Sequence, residues 1–199
     1  MLPQRRLIHL PELIPTITTA RLCLRAFTLD DVDALSRIMG VPEVLRYFPV
    51  TTPPTRDQAE SFIRRQLDHW HEHGLGWWAI DAVHGDGMIG WAGLQHLPET
   101  NETEVAYLIA REHWGQGLAV EAALAGLRFG FETLGKDPII AVVHVDNIRS
   151  YRVLDKLGMT RDRRDRYFGI EVYHYTMDKA TYQSLHGPPS AGIVTDCTP

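Results

Sequence analysis

Trp114-Gly115-Gln116-Gly117-Leu118-Ala119 sets two glycines at the mouth of an Ala/Leu-rich run. A helix start carries unpaired backbone N–H groups and about half a positive charge, so a glycine-lined junction of this kind suits a pyrophosphate. The stretch lacks the third glycine of a dinucleotide fold and the Gly-Lys-Ser/Thr of a phosphate-binding loop. Taken alone, it reads equally well as a helix packed tightly on its strand. Asn147 and Ser150 open a second short helical segment, where Asn147 can cap the helix and Ser150 can decorate its first turn. Glu102 and Glu104 lie two apart in a strand candidate and so share one sheet face. A carboxylate there can take up a proton, or sit exposed as an ordinary strand acid. His69 and His73, at i and i+4, have a metal-capable spacing. The pattern fixes no Cys or carboxylate partner for them, and histidines also suit a helix C-terminus, so no metal is expected.

The elements that must position these residues follow from periodicity. Residues 21–27 alternate apolar with polar and read as a strand. Thr28, Asp30 and Asp31 start a helix with Val32, Leu35, Ile38 and Met39 at helical spacing, and Thr55 caps a second helix running to about Glu72. The period then changes to three strands, at 77–83, 88–94 and 103–110, in an antiparallel meander. A buried helix at 118–134, an apolar strand at 139–145, a helix at 146–159 and strands near 159–168 and 170–177 complete the pattern. Strand, crossover helix and strand imply that 103–110 and 139–145 are parallel. The fold class is therefore α/β (α+β): one domain over 20–186 with a mixed sheet, an N-terminal extension at 1–19 and a loose tail at 187–199.

Composition bounds the function. The 199 residues are 44% hydrophobic and 23% charged, as in an ordinary globular domain, with a net charge of −5. That charge argues against a nucleic-acid partner, and the run Arg161 to Arg166 alternates with Asp162 and Asp165 as a solvated hairpin rim does. No apolar stretch approaches the ~20 residues of a membrane span, and the proline-broken N-terminus is a poor signal peptide. Cys23 falls in a strand and Cys197 in the tail. No bridge between them is expected, and a cytoplasmic, reducing location is the natural reading.

In their order, the meander strand 103–110, "REHWGQGLAVEA", the buried helix, the next strand and "DNIRSYRVLDKLGM" resemble the GCN5-related N-acetyltransferase (GNAT) family, and within it the ribosomal-protein N-terminal acetyltransferase branch. The likeness runs from about residue 20 to 182. The family's loop, Arg/Gln-x-x-Gly-x-Gly/Ala, is met at Gly117 and Ala119, while Trp114 stands where Arg or Gln is usual. The resemblance implies acetyl-CoA as cosubstrate, its diphosphate held by backbone N–H groups of Gln116, Gly117, Leu118 and Ala119, with Trp114 as a packing plug. It implies that the strand ending at Ile109 splays from 139–145 to admit pantetheine, and that the N–H near Ile109 meets the thioester oxygen. Asn147 and Ser150 match the family's Asn-x-x-Ser, touching pantetheine and the CoA sulfur. Many relatives carry a Tyr four residues after that Ser to protonate the leaving thiolate; here the residue is Leu154, which leaves Ser150, a water or Tyr151 for that task.

Amine basicity sets what the base must do. An α-amine of pKa near 8 is roughly 10% neutral at pH 7, a deficit of about 1.4 kcal/mol, against about 4.6 kcal/mol for a lysine amine. Glu104 is the candidate base. The expected activity is direct attack of a primary amine, on a protein N-terminus or a small molecule, upon acetyl-CoA, by a monomer or homodimer. The rival from another class is a non-catalytic acyl-CoA sensor of the same fold, which the absence of Tyr at 154 favours. Trp77, Trp78 and Trp91 are mostly core, with one of them free to line an acceptor pocket. The segments near 28–55 and 165–175, which would face the acceptor, carry no recognisable code.

Overall fold

A computed structural model describes residues 14–187 except 86 and 98–99; residues 1–13 and the tail from 188 onward lie outside the described residues. Eight strands form one mixed sheet in the order β1-β2-β3-β4-β5-β6-β8-β7. They are β1 (Ile17–Thr18), β2 (Leu22–Arg25), β3 (Trp77–Ala82), β4 (Met88–Leu97), β5 (Glu102–Ile109), β6 (Ile139–His144), β7 (Thr160–Tyr167) and β8 (Ile170–Met177). The helices are α1 (Val32–Met39), α2 (Pro42–Leu45), α3 (Arg56–His73), α4 (Leu118–Arg128), α5 (Ile148–Leu157) and α6 (Lys179–His186). The meander and the parallel β5–β6 pair are as the sequence implies. The chain folds as a single α/β domain.

Each face of the sheet has its own core. On one face Leu118, Ala122 and Ala123 of α4, Leu154 and Leu157 of α5 and Tyr182 of α6 pack on Trp78, Val105 and Ile109. On the other, Leu35 and Ile38 of α1, Val44 and Leu45 of α2 and Ala59 and Ile63 of α3 pack on Trp91 and Leu108. α4 lies against the sheet, where a Cβ on Gly126 would make ordinary van der Waals contact with Gly93, 3.5 Å from its Cα. The α-helix ends at Arg128 and continues to Thr133 as a π-helical turn, where a Cβ on Gly130 would require the side-chain ends of Ile139 and Leu94 to shift. Thr55 and Gln58 form a reciprocal capping box at the start of α3, and Gly74, at φ +66°, stops it.

Periodicity missed α2, whose four residues are too few to show a period, and α6, which Asp178 caps by accepting the Thr181 N–H at 2.7 Å. It also missed the pairing of Ile17–Thr18 with β2, inside the stretch read as an extension. One expectation is overturned: Cys23 is disulfide-bonded. Cys197 lies outside the described residues. The argument for a reducing compartment, which rested on an unbridged Cys23, falls with that expectation. Finally, Tyr167 pairs with Ile170 across a two-residue turn, Phe168-Gly169, with φ +51° and +80°. Two positive φ values define a type I′ hairpin, which Asn-Gly adopts readily. A phenylalanine there costs on the order of 1–2 kcal/mol.

Candidate active site

The centre of the molecule is a place where two strands part. β5 and β6 are paired at Glu104↔Ile140, and no register continues beyond it. Ala110 donates its N–H to Ile89 on β4 at 2.7 Å. Alternation along the strand then turns the N–H groups of Ile109 and Tyr107 the other way, into the gap. A cleft of about 1090 Å³ passes through this gap, lined from both faces of the sheet.

On the α4 face a glycine turn borders the cleft. Gly115 and Gly117 have φ of +79° and +80°, a region that L side chains rarely adopt. A Cβ on Gly115 would meet nothing within 4 Å, and one on Gly117 only Arg21 Nη2 at 3.7 Å. The glycines thus serve the turn, and the space above them is open. Gly117 is the N-cap of α4 and no side chain caps it, so the first N–H groups of the helix, at Leu118, Ala119 and Val120, have no side-chain partner and line the cleft. Arg21 fixes the turn by donating Nη1 to the Gln116 carbonyl at 2.8 Å, and its guanidinium is held by Glu121 at 2.6 Å. Trp114 donates its indole N–H to the Ile109 carbonyl at 2.7 Å, closing the end of β5. The Arg111 and Arg149 guanidiniums lie 4.9 and 4.7 Å from its ring.

Asn147 caps α5, its side chain accepting the Ser150 N–H at 3.2 Å, and both residues line the cleft. The Ser150 hydroxyl lies 2.7 Å from that of Tyr107. Tyr107 lines the same cleft, and burial pushes its phenol well above the usual range, so it stays protonated. Periodicity alone could not single it out, because a tyrosine in a strand is most often core. Leu154 is buried, and Tyr151 spends its hydroxyl on the carbonyls of Val145 and His144.

On the other face stands Glu104, which is 4% exposed, so the reading as an exposed strand acid fails. Its carboxylate accepts from Gln95 Nε2, directly across the β4–β5 ladder, and from the Val142 N–H at 3.4 Å. That N–H is one that β5 would have met had the strands stayed together. Burial raises the Glu104 pKa to about 7, against these hydrogen bonds and helped by the charge of Glu102. Glu102 shares the face as expected, yet binds the Tyr167 hydroxyl at 2.7 Å and His174 at 3.0 Å. Trp78 is core, its indole N–H bonded to the Pro15 carbonyl, while Trp77 and Trp91 line the cleft, stacked 4.1 Å apart. Their indole N–H groups are buried without a partner. His69 Nε2 accepts the His96 N–H, and no group of three metal-capable side chains occurs among the described residues.

A cleft that threads a parted sheet, with uncapped helical N–H groups on one face and a buried carboxylate on the other, defines the acyl-transfer class of α/β domain. A family model described as "Acetyltransferase (GNAT) domain" matches residues 21–160. The chain is 31% identical over 174 residues to the uncharacterized N-acetyltransferase p20 of Bacillus licheniformis, covering 84% of this chain and 98% of that protein. The crystal structure of the acetyltransferase from Agrobacterium tumefaciens superposes with a TM-score of 0.72 at 30% identity, covering 85% of this chain and 97% of that one. A spermidine N-acetyltransferase from Vibrio cholerae in complex with CoA and spermine shares the fold, with a TM-score of 0.68 at 19% identity over 82% and 99%. The chain belongs to the GNAT acetyltransferase family.

Proposed function

We propose that the protein transfers an acetyl group from acetyl-CoA to a primary amine by direct attack. The observation that carries this reading is the parting of β5 and β6 between two chemically different walls. The residues fit coenzyme A: a diphosphate needs several N–H donors converging on open space, and Gly117, Leu118, Ala119 and Val120 supply both. Arg111, Arg149, Arg152 and Lys156 line the same side and give it a cationic rim in an otherwise acidic protein. The Ile109 N–H, aimed into the gap, is placed to donate to the thioester oxygen as charge develops there.

Glu104 takes the proton from the amine, directly or through a water. A carboxyl near pKa 7 is a better base at neutral pH than an ordinary glutamate, and an α-amine asks least of it. On the far wall Ser150 faces the leaving thiolate, with Tyr107 behind it as a hydrogen-bond donor. This pair answers the absence of a tyrosine at Leu154 and weighs against the sensor reading, since the walls carry both a proton acceptor and donors. Protein N-termini, as in the ribosomal-protein branch, and small amines both belong to the acceptors to be tried. Thiol release from acetyl-CoA, followed with a panel of amines, tests the reading. Amine-dependent release is expected; tight binding with no release for any amine would make the chain a sensor.

A further inference from the structure

The hairpin tip between β7 and β8 holds the most unusual residue of the acceptor wall. Phe168 stands in the left-handed region at φ +51°, at the first position of a type I′ turn. Such strain persists where the surrounding structure has a use for the side chain, and it clusters at sites that grip ligands. Nothing in the hairpin needs a phenylalanine: Asn would relax the turn. The ring is not spent on the core either, being 52% exposed.

What the ring does is visible from its neighbours. Phe168 lines the main cleft and also a separate pocket of about 470 Å³ beside it, so it forms the partition between the two. The same cleft is also lined by Ile170 and Val172 of the hairpin, Val142 of β6 and Tyr47 after α2. This collar is apolar and partly aromatic. The cleft lining carries Arg46 and His144 as well as the carboxylates of Glu43, Glu104 and Asp146, so its charge is mixed.

We propose that Phe168 is a specificity-determining residue, its ring walling the acceptor end of the cleft and selecting primary amines carried on an aromatic or branched aliphatic group. The inference rests on the acetyl-transfer reading and adds the acceptor's class to it. A group of that kind gains most from an apolar wall, while a polyamine gains nothing from it and leaves its charges unpaired.

Phe168→Asn separates recognition from folding, because it suits the turn better than the native residue. We expect its melting temperature to stay level or rise, and acetyl-CoA affinity by calorimetry to stay within about twofold. The specificity constant for phenethylamine should fall roughly tenfold or more, against less than about threefold for ethylamine, and Phe168→Tyr should restore it. An unchanged constant for phenethylamine in Phe168→Asn, or spermine as the preferred wild-type acceptor, would overturn the proposal while leaving acetyl transfer intact. Acetyl-CoA binding without thiol release to any amine would instead remove the transfer reading and the collar with it.

Discussion

On the α4 side of the parted strands, the groups that face the cleft include main-chain donors set by two glycines with positive φ, alongside the side chains of Tyr107, Ser150 and a cationic rim. On the α1–α2 side they are side chains drawn from α2, β4, β5, β6 and the β7–β8 hairpin. In the proposed reading the first wall recognises what every acyl-CoA shares, a diphosphate, through the backbone of the glycine turn. The second must distinguish amines and move a proton, which takes side chains whose pKa and shape depend on packing. The difference predicts that substitutions in the glycine turn change coenzyme affinity, while those at Glu104, Ser150 and Tyr107, around the proposed reacting atoms, change turnover.

The largest expected effect is on the acceptor side. Glu104→Gln keeps the shape and the Gln95 contact but removes the base. We expect kcat to fall by about 10²–10⁴, with acetyl-CoA affinity unchanged in a calorimetric titration. In the wild type, kcat/KM for an α-amine should climb as pH rises through about 7, the pKa of Glu104, and the variant should lose that inflection. Stability runs the other way. The folded chain binds this proton more tightly than the unfolded chain, whose carboxyl titrates near 4.5, so unfolding becomes easier as pH rises between 4.5 and about 7. Glu104→Gln should therefore be more stable than wild type at pH 8, by on the order of 3 kcal/mol, and show little advantage at pH 4.

Next comes the coenzyme side. Gly117→Val forces a branched residue into φ +80° and fills the space above the turn. Acetyl-CoA affinity should drop at least tenfold, read by calorimetry, with the far-ultraviolet spectrum unchanged. A comparable loss of kcat at saturating acetyl-CoA would blur the two-wall distinction. Smaller again, Ser150→Ala and Tyr107→Phe should each lower kcat by roughly tenfold and, if they act as one unit, the double variant should be no worse than the poorer single. The smallest effect belongs to Trp114→Phe, which loses one hydrogen bond to the Ile109 carbonyl. About 1 kcal/mol, or roughly fivefold in acetyl-CoA affinity, is expected.

The same contrast explains what could be read from the chain before its structure. Gly115 and Gly117 ahead of a helix, Asn147 as a cap and the switch from strand to helical period are local patterns, and local patterns fix the order of the elements. The family resemblance added an expected role for the loop. Tyr107, Phe168 and the buried state of Glu104 were not legible, because each depends on what distant segments bring near. Tyr107 meets Ser150 only across the parted strands, 43 residues apart in sequence. Glu104 is buried by Gln95 and β6, and a period of two places it on a face without saying what covers that face. The Cys23 bridge belongs with these.

The claim on which the rest depends is that the first turn of α4 holds the coenzyme's diphosphate through its amide hydrogens. Nitrogen-15 amide spectra, recorded while acetyl-CoA or S-acetylpantetheine is added, test it most directly. The account predicts large shifts at Leu118, Ala119 and Val120 with acetyl-CoA, and none there with S-acetylpantetheine, which lacks the diphosphate. Saturation by acetyl-CoA with those three amides unmoved, or no binding at all, would contradict it.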